Sequence, residues 1–357
     1  MNILLLSRYG RLGQSSRIRS YQYIPYLRAH GVDLTVAPLL GDDYLRRLHA
    51  GERWDFRGIL RAYLDRFGYL FKSRRFDLLW IEYEILPWLP GWAEAILAQM
   101  GTPYVVDYDD AIFHRYDMHP KWMIRALLKK KIDEIMRRAA LVLVGNDYLA
   151  DRAHEAGASR VTVLPTVVDL DRYSIVPRGR NTVFTIGWIG SPTTAEYLYL
   201  IVPALKEVCK DGSMQLVLVG SGHIELDGTP IEFRSWSEAT EVRDIQSFDV
   251  GIMPLPHTHW ARGKCGYKLI QYMACALPVV ASPVGVNTYM VENGRNGFLA
   301  AGTDDWVRAL ETLHGGYNLR ERMGKAGRSL VEKHYCLEVT APRLLSLLRS
   351  AAGGSIN

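Results

Sequence analysis

The sequence contains no apolar run near the roughly 20 residues needed to cross a bilayer. Its opening, Met1-Asn-Ile-Leu-Leu-Leu-Ser-Arg8, is too short an apolar stretch for a signal peptide. A soluble or peripheral chain is expected. Four cysteines, Cys209, Cys265, Cys275 and Cys336, follow neither metal-ligand nor disulfide-framework spacing, which suits a reducing cytosol. No repeat, low-complexity segment or nucleic-acid motif is present. Charge imbalance is slight, at +5 overall. The first 177 residues hold 25 Lys and Arg against 21 Asp and Glu, and the remainder 18 against 17. This mild excess fits anionic partners such as phosphates or lipid headgroups but is too weak to argue for nucleic acid.

What is present is material for large cores: 48% of the residues are hydrophobic and 23% charged. Short strand-like apolar runs alternate with amphipathic helical stretches, the pattern of a parallel sheet covered by helices on both faces. In the first series the strands are expected at residues 3–6, 33–37, 78–81, 104–106, 141–144 and 161–164, with a helix over 17–30 closed by Gly31. After the polar stretch Pro177-Arg-Gly-Arg-Asn181, a second series runs through 184–189, 216–219, 231–233, 250–254 and 279–281. The chain is therefore expected to be α/β, with two Rossmann-like doubly wound domains facing across a cleft. Residues 1–177 form the first and 178–338 the second. The C-terminal helix falls within 339–357, and its packing, including a return to the first domain, is left open. In such sheets ligands bind at the carboxyl ends of the strands.

Three segments carry candidate chemistry. The loop Ser7-Arg-Tyr-Gly10-Arg-Leu-Gly13-Gln-Ser-Ser16 brings two glycines close to an anion, with Ser15 or Ser16 as helix cap and Arg8, Arg11, Arg17 and Arg19 adding charge. Gly13 and Arg17 are its candidate binding residues. An ordinary strand-to-helix turn fits the same residues, since the spacing is no G-x-G-x-x-G fingerprint. The corresponding turn of the second series, Gly187-Trp-Ile-Gly190-Ser-Pro-Thr-Thr194, offers Ser191 as N-cap, Pro192 at the first helical position, and the Ser191, Thr193 and Thr194 hydroxyls for a diphosphate. A well-capped helix without a ligand is the plain alternative. The third segment, Pro254-Leu-Pro-His-Thr-His-Trp-Ala-Arg262-Gly-Lys264-Cys-Gly266-Tyr-Lys268-Leu-Ile-Gln271, leads a basic loop into an apolar-periodic helix. Arg262 is suited to bidentate phosphate bonds and Lys264 to a point charge.

The third segment resembles the C-terminal domain of retaining glycosyltransferases of the GT-B fold, family four, the "group 1" transferases. The resemblance runs from Asp249-Val-Gly-Ile-Met-Pro254 through Gln271-Tyr-Met-Ala274 and Leu277-Pro-Val-Val-Ala281-Ser-Pro-Val-Gly285 to Glu292-Asn-Gly-Arg-Asn-Gly297-Phe-Leu299. More weakly it includes the opening strand and glycine loop, Asn146, and Leu164-Pro-Thr-Val-Val-Asp169. It implies transfer of a sugar from a nucleoside diphosphate sugar to a glycan or lipid-linked acceptor hydroxyl, with retention. No metal and no cofactor beyond the donor are expected. The implied setting is cytoplasmic polysaccharide or lipopolysaccharide assembly.

The sequence departs from the family pattern in three places. The family's two carboxylates, with seven residues between them, fall on Gly263 and Gln271; Gln271 can still bond a hydroxyl pair, whereas Gly263 replaces nothing. The Arg and Lys that follow the first strand of the second domain are absent, which leaves Arg262 and Lys264 to supply the charge. At the end of a first-domain strand, Val105-Val-Asp107-Tyr-Asp109-Asp110-Ala-Ile-Phe-His114 gathers carboxylates where relatives have a histidine. Asp109 and His114, with Lys264, are the catalytic candidates, for orienting sugar hydroxyls or taking a proton; an Asp-rich capping turn fits as well. The D-x-D spacing is similar to that of metal-dependent transferases of another fold. The resemblance also makes Trp236 a candidate base-stacking residue and Glu292 a candidate donor contact, although a half-buried aromatic and a helix-terminal charge explain these two equally well.

Residues 121–138 are basic and amphipathic, and 46–75 are rich in Arg, Leu and aromatics, so an anionic membrane surface is a further expected partner beside plain packing on the first domain. Two other functions fit the scaffold: a sugar-nucleotide epimerase or phosphorylase, and a catalytically inactive nucleotide-sugar-binding subunit, suggested by the missing carboxylates.

Overall fold

The computed structural model describes residues 1–52, 55–176 and 183–353. The polar stretch 177–181 lies outside them. Contacts divide the chain into two units. The first comprises Met1–Thr166, Gly263–Cys265 and the residues from Glu338 onward; the second comprises Val167–Arg262 and Gly266–Leu337. The division precedes residue 177 because the segment after Val167 is held by the second unit. Val168 exchanges backbone bonds with Tyr335 and Leu337, and the Tyr173 hydroxyl donates to Glu241 at 3.1 Å.

The first unit is built on β1 (Asn2–Leu6), β2 (Asp33–Val36), β3 (Leu78–Glu82), β4 (Tyr104–Tyr108), β5 (Leu141–Val144) and β6 (Val161–Val163). They pair in parallel in the order β2-β1-β3-β4-β5-β6. In β1, β3, β4 and β5 nearly every residue is buried, irrespective of which face it points to. A parallel sheet covered on both faces requires this, and it is why these strands read as continuous apolar runs rather than alternating ones.

The second unit contains β7 (Phe184–Ile189), β8 (Met214–Val219), β9 (Ile231–Arg234), β10 (Val250–Met253), β11 (Val279–Ala281) and β12 (Gly297–Leu299). Their order is β12-β11-β10-β7-β8-β9, again parallel. The chain reverses its direction of travel across the sheet between β7 and β10, the position where doubly wound sheets open a crevice at their strand ends. β12 is not expected from sequence. It is three residues long, and its glycine sits against β11: a Cβ on Gly297 would lie 2.3 Å from the Val279 carbonyl oxygen.

The single helix expected over 17–30 is instead two helices, Gln14–Arg19 and Ile24–Ala29, joined by a 3₁₀ turn at Tyr21–Tyr23. Pro25 lacks an amide hydrogen and its ring crowds the carbonyl four residues back, so a continuous helix cannot pass through it. Gly31, at φ 79°, ends the second helix. The C-terminal helix, Leu337–Ala351, packs on the first unit from Glu338 onward. Tyr23 Oη and Thr340 Oγ1 are 3.0 Å apart, and Arg349 donates to the His30 carbonyl at 2.8 Å.

Candidate functional site

In the first unit the functional groups gather at the carboxyl ends of β1, β3 and β4. The loop after β1 is turned tightly over Tyr9. Gly13, rather than Ser15 or Ser16, occupies the N-cap of the helix Gln14–Arg19, because a Cβ there would lie 2.4 Å from that of Tyr9. Ser16 turns inward instead: it accepts the Tyr9 amide at 3.2 Å and donates to Glu82 at 2.6 Å. The Arg8 amide donates to the same Glu82 oxygen at 2.9 Å. Arg17 is buried, 3% exposed, so its cation does not sit on the loop's surface.

The two aspartates of the D-x-D spacing do not form an open pair. Asp107 is taken up by Arg19, whose Nη2 and Nε reach Oδ1 at 2.6 and 3.0 Å, while Nη1 donates to the Leu164 carbonyl at 2.7 Å. Asp109 accepts the hydroxyl of Tyr83, a residue held in left-handed backbone geometry (φ 61°). Burial, reinforced by the neighbouring Asp110 charge, pushes the Asp109 carboxyl up to about 6. Burial likewise raises Glu82 to about 7, against the opposing pull of the Ser16 and Arg8 bonds. Burial thus leaves a pair of raised carboxyls at the ends of β3 and β4. Glu82 is a member that sequence reasoning missed, since a lone Glu ending an apolar run carries no signal.

Lys264 binds Asp110, with Nζ 2.9 Å from Oδ1. Its loop is pinned to the first unit by Asn146, which donates to the Gly263 and Lys264 carbonyls at 2.9 and 3.1 Å while capping the helix Asp147–Glu155 through the Leu149 amide. Gly263 has no room for a side chain: a Cβ would lie 2.6 Å from the Ala111 Cβ and 2.8 Å from its amide nitrogen. His114 is held by two side chains. Its Nδ1 lies 2.8 Å from Asp117 and its Nε2 2.8 Å from the Tyr148 hydroxyl, so both ring nitrogens are engaged.

In the second unit, the groups converge where β7 and β8 end. Gly190 donates to the Val219 carbonyl at 3.0 Å. A Cβ on Gly220 (φ 75°) would lie 2.5 Å from the Gly190 oxygen and 2.9 Å from the Trp236 Cβ. Ser191 is the N-cap by position but makes no side-chain cap bond, and its hydroxyl lies 2.9 Å from that of Thr193. The helix it opens is one turn, Pro192–Ala195, which continues as 3₁₀. Its dipole is correspondingly short. A cation is nonetheless present: Lys268 lies along Trp188, with Nζ 5.2 Å from the ring centre and Cε 2.8 Å from where a Cβ on Gly190 would sit. The sequence signals the charge but not the approach, which depends on how the helix Tyr267–Ala274 packs.

Trp236 and Gln271 belong to one hydrogen-bonded chain. The indole donates to Glu241 at 3.0 Å, Glu241 accepts Tyr173 at 3.1 Å, and Gln271 donates to the Tyr173 oxygen at 2.8 Å. Gln271 is 2% exposed. Arg262 is half-buried, and its backbone closes on Gly285, where a Cβ would lie 2.9 Å from the Arg262 oxygen. Glu292 is exposed in a surface turn and pairs locally with Arg295 at 2.5 Å.

Residues 180–315 match the family described as glycosyl transferases group 1, and residues 17–166 match the glycosyl transferase 4-like domain. Between them the two leave out only residues 1–16, 167–179 and 316–357. The chain belongs to the group 1 glycosyltransferases.

Relatives of this group 1 chain include a D-inositol 3-phosphate glycosyltransferase of Paenarthrobacter aurescens, 30% identical over 125 residues, covering 34% of this chain and 27% of that protein. A sulfoquinovosyl transferase of Arabidopsis thaliana is 25% identical over 276 residues, covering 68% of this chain and 51% of the relative. The chain thus spans about a quarter to a half of these relatives' lengths. Two solved structures share the fold of this transferase at 15% identity. Sucrose-phosphate synthase from Thermosynechococcus elongatus has a TM-score of 0.71, covering 99% of this chain and 100% of its own. Anabaena HepE, solved with UDP-glucose, has a TM-score of 0.70 over 98% and 100%. The fold is GT-B, with two Rossmann-like domains.

Proposed function

We propose that this group 1 transferase moves a sugar from a nucleoside diphosphate sugar to a hydroxyl of a glycan or lipid-linked acceptor, with retained anomeric configuration and without a bound metal. Polysaccharide or lipopolysaccharide assembly in the cytoplasm is the setting that fits. One observation carries the donor half of the reading: Lys268 stands beside the glycine corner at Gly190 and Ser191, at the end of β7 where the sheet reverses direction. A cation there meets the charge that develops on a departing diphosphate. Trp236, oriented by Glu241, offers a flat face for a base. That HepE was solved with UDP-glucose on the same fold makes a uridine donor the first to test. For the acceptor half, Asp109 and Glu82 are the proton-handling groups and Lys264 a fixed charge beside them.

The test is incubation of the purified chain with UDP-, GDP-, CMP- and dTDP-sugars, reading ligand-induced thermal shifts and then product by NMR. A retained anomeric signal in a glycosylated product is expected, undiminished by a chelator. No shift with any nucleotide sugar would overturn the reading.

A second reading, a nucleotide-sugar-binding subunit without turnover, is favoured by the closed space at Gly263 and the engagement of Gln271 by Tyr173. Turnover by the chain alone would dispose of it. Donor consumption without glycosylated product would point instead to an epimerase.

A further inference from the structure

The first unit exposes a large apolar surface that none of the chemistry above uses. On the helix Phe56–Lys72, the inner face buries Arg66 and Leu70. The outer face shows Phe56, Leu60, Leu64 and Phe71, at helical spacings of four, four and seven; Phe56 is 75% exposed and Phe71 85%. On the helix Trp122–Leu128, Leu128 faces the core while Trp122, Met123 and Leu127 stand out, Trp122 69% exposed and Leu127 68%.

These two helices are joined through the segment after β3. The Tyr63 hydroxyl donates to the Pro87 carbonyl at 2.9 Å, Phe67 stacks on Trp92 at 5.1 Å, and the exposed Trp88 meets His119 edge-on at 5.9 Å. One connecting segment, residues 87–92, thus ties the helix Phe56–Lys72 to the residues that lead into the helix Trp122–Leu128.

The charge of this surface is one-sided. Besides the buried Arg66, residues 56–75 carry Arg57, Arg61, Lys72, Arg74 and Arg75 beside a single acid, Asp65, and residues 118–130 carry Lys121, Arg125, Lys129 and Lys130 beside none. Asp65 itself lies 3.9 Å from Arg61. An apolar stripe of this size flanked by basic residues has two needs: removal of its aromatics from water, and anions beside its cations. A second copy of the same face would oppose like charges. An anionic bilayer meets both needs, taking up the rings at the depth of the headgroups and the cations at the surface. No helix among the described residues is long and apolar enough to cross the membrane, so contact of this kind is interfacial.

We propose that this face, centred on Phe71, Leu64 and Trp122, docks the chain on an anionic phospholipid bilayer. The proposal deepens the lipid-linked-acceptor reading and rests on it only for its purpose, since lipid contact requires neither donor nor acceptor.

The experiment is flotation of the full chain with phosphatidylcholine vesicles and with vesicles containing 30% phosphatidylglycerol, at low and high salt, alongside a Leu64→Glu/Phe71→Glu/Trp122→Glu variant. Because these side chains are exposed, the variant should keep its melting temperature and its thermal shift with UDP. Expected are co-flotation with the anionic vesicles only, weakening with salt, and at least a tenfold loss in the variant. Absence of co-flotation, equal flotation of variant and parent, or equal binding to neutral vesicles would overturn the proposal. So would a concentration-dependent dimer of the parent that the same three changes abolish, which would assign the face to a second copy. A negative flotation result beside a normal UDP shift would leave the transferase reading standing.

Discussion

Lys264 Nζ lies 2.9 Å from Asp110 Oδ1, and Gly263, the preceding residue, is pressed onto Ala111. The two contacts explain each other. A side chain at 263 would push the loop away from the strand end and draw the lysine out of reach. Restoring the carboxylate of the family pattern at this site is therefore expected to fail structurally. Gly263→Glu should lower stability by about 1–3 kcal/mol through overpacking, seen as a fall in melting temperature with and without UDP. A variant as stable as the parent would show that the loop yields easily.

The positive charges divide by unit, Lys264 with the first and Lys268 with the second. Lys268 is the one beside the glycine corner. Lys268→Met is expected to weaken UDP binding at least tenfold, about 1.4 kcal/mol, by titration calorimetry. Lys264→Met should change it much less. The reverse ranking would return the diphosphate to Lys264, as the sequence alone suggests.

Gln271 donates to a tyrosine hydroxyl that itself donates to Glu241. An ionised carboxylate in its place has no proton to give, and it would face the Tyr173 oxygen in a buried setting. Gln271→Glu should cost about 1–3 kcal/mol at pH 8, with part of that recovered at low pH as the new group protonates. Thermal melts at pH 5 and pH 8 measure it; equal stability at both would show a different partner for the side chain.

Glu82 titrates at about 7 when folded, against an ordinary value of 4.5. A carboxyl raised by folding binds its proton more tightly in the native state. Its contribution is complete below the unfolded value and is lost as pH rises through the folded one. The parent should therefore lose stability relative to Glu82→Gln between pH 5 and pH 8, by on the order of 2 kcal/mol. A constant difference in melting temperature across that window would remove the assignment.

Much of the fold is legible in the sequence because buried parallel strands are unbroken apolar runs. The strands at 141–144, 184–189 and 279–281 coincide with those in the structure residue for residue. β12 escapes because three residues with a glycine carry no such run, and the break before Pro25 is written locally but masked by an amphipathic pattern that continues across it. The site is legible in part. Loops at strand ends declare themselves through glycines and charges, which is how Gly13, Ser191 and Lys264 stand out.

What the sequence settles by itself is what neighbours along the chain can settle: the type of most strands and helices, and the residue pattern that marks the family. The tertiary structure alone decides which charge meets which group. Lys264 reaches Asp110 across 154 positions and Gln271 reaches Tyr173 across 98. Lys268 comes to Gly190 only because a helix packs against the end of a sheet. Such pairings depend on long-range packing, which no local spacing encodes.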